Sequence, residues 1–166
     1  MKKYNLLSSA VLGLVFALLF SVTTCANSSW RWISETRPHD VLPFVIVITL
    51  SIEVLTVYFI PKVKALPKII LFVTIANIFS FLAPYLFLYI VPSLYTFEQT
   101  LEHTPFYIVG VVYLLITLII EVPFVYLTLR SSANGAKKLF FTVVGVNILT
   151  TVITAVTERL ICKGVW

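Results

Sequence analysis

Five apolar stretches, at about 5–26, 41–60, 68–92, 105–129 and 137–157, each reach the roughly 20 residues that a helix needs to cross a bilayer core. Hydrocarbon offers the backbone no hydrogen-bond partner, so such stretches are restricted to helix. Charged residues are 11% of the 166, against about 25% in ordinary soluble domains. They lie mostly in short connections between the apolar runs. The expected fold is therefore an all-α membrane protein: a polytopic helical bundle of five spans forming a single transmembrane domain over 1–166.

The first stretch has two readings. Met1-Lys2-Lys3 is a basic leader and Leu6 to Ala26 an apolar run. A signal-peptide core is usually about 7–15 residues, and this run is longer. Thr24-Cys25-Ala26 is a poor cleavage site and Val22-Thr23-Thr24-Cys25 a poor lipidation site. Segment 1–26 is read as a retained N-terminal span, with removal or lipidation as the alternative.

With the N-terminus in the cytoplasm the five spans alternate. The inner pieces then hold Lys2, Lys3, Lys62, Lys64, Lys68, Arg130, Lys137 and Lys138 and no acidic residue. Only Arg31, Arg37, Arg159 and Lys163 fall outside, together with Glu35, Asp40, Glu98, Glu102 and Glu158. That asymmetry follows the positive-inside rule. A bacterial or archaeal cytoplasmic membrane is the expected location. The net charge of +5 is accounted for by topology. No basic groove with interleaved aromatics is present, so nucleic acid is not an expected partner.

Two spans carry a glutamate in the same setting. Ile48-Thr49-Leu50-Ser51-Ile52-Glu53-Val54 continues to Val57-Tyr58, and Ile116-Thr117-Leu118-Ile119-Ile120-Glu121-Val122 continues to Val125-Tyr126. The parallel extends further. Lys68 opens a span that reaches Asn77 and then Ser80; Lys138 opens one that reaches Asn147 and then Thr150. Apolar matches between membrane helices are uninformative, but Thr, Glu, Tyr, Lys and Asn recur in order. Segments 41–92 and 105–157 are read as duplicated hairpins, related by an axis along the membrane normal. Pro84 and Pro123 lie inside spans, where proline can kink a helix.

Helical rise places the polar residues in depth. Glu53 precedes Pro61 by eight residues, Glu121 precedes Arg130 by nine, and Asn77 and Asn147 each follow a lysine by nine. At about 1.5 Å per residue all four lie about 12–14 Å from the basic loops. Thr49 and Thr117 share a face with their glutamates. Asn147, Thr150, Thr151, Thr154 and Glu158 form one stripe along the last span.

A carboxylate in hydrocarbon is costly and marks a functional position by default. Glu53, Asn77, Glu121, Asn147, Thr49, Thr117 and Thr150 are the candidate site. They point to binding or translocation of a cation, a proton or a small polar solute. The alternative is an accessory, scaffold or immunity-type membrane subunit, in which Glu–Asn hydrogen bonds fix helix register. A homo-oligomer or a membrane partner protein fits either reading. His39, Asp40, Glu102 and His103 are weaker metal candidates on the outer rim. Their spacing matches no HExxH, and there is no CxxC, phosphate loop or nucleophile elbow. An enzyme is not the favoured reading and no cofactor is expected. Cys25 and Cys162 both fall near the outer face, where an oxidising compartment would permit a bridge.

Overall fold

The computed structural model describes residues 31–90 and 108–165. Within them are four long helices: α1 (Pro38–Phe59), α2 (Leu66–Ile90), α3 (Val111–Leu129) and α4 (Ala136–Ile161). All four are long and apolar enough to span a membrane. The proposed N-terminal span and Cys25 lie outside the described residues. Among the described residues the one departure from helix and connections is a short two-stranded ladder. β1 (Arg31–Trp32) pairs antiparallel with β2 (Gly164–Val165), placing Trp32 opposite Gly164.

Local signals set the helix ends. Pro38 opens α1, where a missing N–H costs nothing, and the Asp40 carboxylate reaches back to the Arg37 N–H at 2.8 Å. Pro43 and Pro123 sit inside α1 and α3, yet both helices run through them. Gly135 precedes α4 with φ of 104°, a conformation that favours glycine.

The helices close into a ring: α1 packs on α2 and α4, and α3 packs on α2 and α4. Contacts between the hairpins (α2 with α3, α1 with α4) are more extensive than those within the first hairpin. Both short helical connections lie at one end, here the basic end. The Asn134 N–H donates to the Pro61 carbonyl at 2.8 Å and ties the two turns together. At the opposite, sheet end, Ile33 and Ser34 N–H groups both reach the Lys163 carbonyl. Cys162 is buried there against Val41 and Val45, with Trp32 packed alongside. The chain on either side of the bundle is thus fastened to itself.

Apolar side chains cover the outside. Phe44, Leu55, Leu71, Phe79, Ile119 and Phe141 are all more than half exposed. The polar residues are inside, as a bundle immersed in lipid requires.

Candidate functional site

Each residue of the polar layer has a buried valine one helical turn toward the basic end. Val57 follows Glu53, Val73 precedes Asn77, Val125 follows Glu121 and Val143 precedes Asn147. One turn toward the sheet end stand Thr49, Phe81, Thr117 and Thr151. The spacing of four brings each trio onto one face of its helix. The ring stacks these faces into three levels: valine, then glutamate with asparagine, then threonine with Phe81.

Glu53 and Glu121 are 3% and 2% exposed, and Asn77 and Asn147 equally buried. Asn77 joins the two carboxyls. Its Nδ2 donates to Glu53 Oε2 at 2.6 Å and lies 3.2 Å from Glu121 Oε2. One nitrogen therefore holds both carboxyls within about 6 Å of each other, the range in which charges interact strongly. The same Nδ2 is 3.0 Å from the Val73 carbonyl. The remaining oxygens are served across the ring. Ser80 of α2 donates to Glu121 Oε1, and Thr150 of α4 donates to Glu53 Oε1 at 3.0 Å.

Asn147 behaves differently from the sequence expectation. Its amide donates to the Val143 carbonyl of its own helix at 2.9 Å, and no bond to Glu121 forms. Glu121 and Asn147 of the second hairpin do not pair, and Asn77 reaches across to Glu121 instead. The buried Oδ1 atoms of Asn77 and Asn147 and the Thr117 hydroxyl have no hydrogen-bond partner within the protein.

An internal cavity of about 10 Å³ lies among Glu53, Asn77, Glu121 and the threonines 49, 117, 150, 151 and 154. That is about the smallest space that admits one water. Tyr113 and Phe81 complete its lining.

Glu158, counted with the outer pieces and at the end of the polar stripe, lies inside the bundle. Helix α4 continues to Ile161, and Glu158 is fully buried. Its Oε2 accepts the Val109 N–H at 3.0 Å, while its Oε1 has no hydrogen-bond partner. The signal for this was the polar stripe itself: Glu158 is one turn beyond Thr154 on the buried face. Ser80, Thr151, Thr154 and Tyr113 also belong to the interior without having been counted in the site.

On the outer rim, His39 Nε2 lies 3.4 Å from Asp40 Oδ1, with both side chains partly exposed. Glu102 and His103 fall outside the described residues. Among the described residues no three His, Cys, Asp or Glu side chains converge.

Fold and site together define the class: a small integral membrane protein with a hydrogen-bonded carboxyl layer in its interior. No protein-family model, curated protein or solved structure matches the chain.

Proposed function

We propose that this membrane protein binds a proton or a small cation at the Glu53–Asn77–Glu121 layer and passes it through the bundle. The observation that carries this reading is the Asn77 amide lying within hydrogen-bond reach of two buried carboxyls from different hairpins. Two full negative charges about 6 Å apart repel by about 3 kcal/mol even at an effective dielectric constant near 20. A bound proton or cation removes that repulsion. A cavity of about 10 Å³ favours these ligands over a larger polar solute.

The two hairpins are read as copies of one ancestral unit. Ser80 and Thr150 hold matching places after Asn77 and Asn147, and each donates to the glutamate of the other hairpin. The basic end is assigned to the cytoplasm, because Lys62, Lys64, Lys68, Arg130, Lys137 and Lys138 gather there.

The second reading, an accessory or scaffold subunit bound to a membrane partner, draws support from the valine level, which closes the basic side of the layer. On that reading the hydrogen bonds serve only to hold helix register. Reconstitution into proteoliposomes separates the two. Transport predicts a proton or cation flux that Glu53→Gln and Glu121→Gln each abolish while the variants still fold. A folded wild type without flux favours the accessory subunit, and stoichiometric co-purification of one partner would establish it.

A further inference from the structure

Resting on the reading of the layer as a binding site, we propose that its ligand is a proton and that Glu158 is a second station for that proton at the sheet end. The first argument concerns what stands between the carboxyls. Asn77 Nδ2 is the atom within 3.2 Å of both Oε2 atoms. An amide nitrogen carries two protons and offers no lone pair, so it cannot ligate a metal ion at the bridging position. The Val73 carbonyl, an acceptor with no proton to give, lies 3.0 Å from the same nitrogen and favours this orientation of the amide.

The second argument is that both protonation states fit the same heavy-atom positions. A hydroxyl has one proton and can also accept. Ser80 Oγ touches Glu121 Oε1 and lies 3.0 Å from the Asn77 carbonyl. Thr150 Oγ1 is 3.0 Å from both Glu53 Oε1 and the Val146 carbonyl. Against a charged carboxylate each hydroxyl donates to it. Against a protonated carboxyl each accepts, and turns its own proton to the backbone carbonyl. Neither state needs a side chain to move.

The third argument is direction. Toward the basic end the layer meets the apolar side chains of Val57, Val73, Val125 and Val143. Toward the sheet end it meets Thr49, Thr117, Thr151 and Thr154 around the cavity, with Phe81 and Tyr113 completing the lining. Side chains tilt toward the N-terminus of their helix. Glu53 and Glu121 therefore lean toward the sheet end, and Glu158 leans toward them. Glu158 is eight residues beyond Thr150, about 12 Å of rise. Among the described residues its buried Oε1 makes no hydrogen bond.

Glu158 faces Arg159 on its own helix and the Cys162 thiol a turn on. From the segment before α3 it meets the Val109 and Ile108 N–H groups, and Arg37 and Asp40 of the α1 start surround the same thiol. Glu53 and Glu121 face each other, with Asn77, Ser80 and Thr150 as their polar neighbours. In the transfer, the Glu158 carboxyl releases its proton to water between it and the cavity. That water gives a proton to the Glu53 or Glu121 carboxylate, leaving Glu158 as carboxylate and the water unchanged.

The test uses the full chain in proteoliposomes with a trapped pH dye, and with sodium and potassium replaced by choline. Proton flux is expected to persist in choline, and Glu158→Gln is expected to lower it about 100-fold. Glu158→Asp, which keeps the carboxyl, should retain part of the flux and so separates loss of the group from loss of the fold. Infrared difference spectra after a pH jump should still show the Glu53 and Glu121 carboxyl bands in Glu158→Gln. Flux that requires sodium or potassium, or wild-type flux in a folded Glu158→Gln, overturns the proposal. If Glu53→Gln and Glu121→Gln also leave flux and spectra unchanged, the underlying reading fails as well.

Discussion

Asn77 and Glu53 are 24 residues apart in the chain and 2.6 Å apart in the bundle, and the same Asn77 nitrogen also reaches Glu121. The second hairpin has no such bridge, since Asn147 spends its amide on its own backbone. The two asparagines therefore carry different weights in the structure.

Asn77→Ala removes a donor from two buried carboxyl oxygens at once. Leaving buried polar groups unsatisfied costs about 1–3 kcal/mol, above the roughly 0.6 kcal/mol average for an interhelical hydrogen bond in a membrane protein. Asn147→Ala breaks only a bond within its helix and should cost less than about 1 kcal/mol. Unfolding of the detergent-solubilised variants in SDS measures both. Equal losses would contradict the asymmetry.

The cross-hairpin hydroxyls should couple to their own glutamates. A double-mutant cycle of Ser80→Ala with Glu121→Gln, and another of Thr150→Val with Glu53→Gln, should each give about 0.5–2 kcal/mol of interaction energy. The exchanged cycles, Ser80 with Glu53 and Thr150 with Glu121, should give distinctly less. The pattern reports which hairpin serves which carboxyl.

Two glycines of α4 and its start should respond to alanine with opposite signs. Gly135 sits at φ of 104° with only Lys138 Cβ nearby, at 3.7 Å, so Gly135→Ala suffers from the backbone alone, by about 1–2 kcal/mol. Gly145 lies within the helix with open space where a Cβ would go. Gly145→Ala should stabilise by about 0.5–1 kcal/mol through helix propensity. Thermal melts in one detergent compare the pair.

Cys162, just past the end of α4, should alkylate slowly in the reduced, folded protein. Burial first, then the nearby Glu158 and Asp40 charges, push its thiol up to about 11, with Arg37 opposing. Because the folded state holds this proton more tightly, the thiol's contribution to stability is complete below about pH 9. It is lost as pH rises through about 11. Maleimide labelling should therefore accelerate across that alkaline window and become fast in SDS. Fast labelling at neutral pH in the folded protein would contradict the burial.

Much of this interior was legible along single helices. Glu53, Asn77, Glu121 and Asn147 share a height because rise per residue is constant. Thr49 and Thr117 share faces with their glutamates because the turn is 3.6 residues. The valine level was equally open to that reading, four residues from each polar side chain, but valine is so common in membrane spans that its position stood out from nothing. Glu158 was legible as the far end of the α4 stripe, although its place next to Arg159 at the end of an apolar run counted it with the outer pieces.

The chain by itself determined the four described spans, the side of each helix that is polar and the depth of its carboxyls, all of which follow from local geometry and from the cost of charge in hydrocarbon. Partner choice was decided only when the helices packed. Lipid is as apolar as leucine, so apolar pattern does not specify how one helix turns toward another. The rotation that gave Glu121 to Asn77 and Ser80, and left Asn147 to its own backbone, came from side chains of different hairpins meeting across the ring.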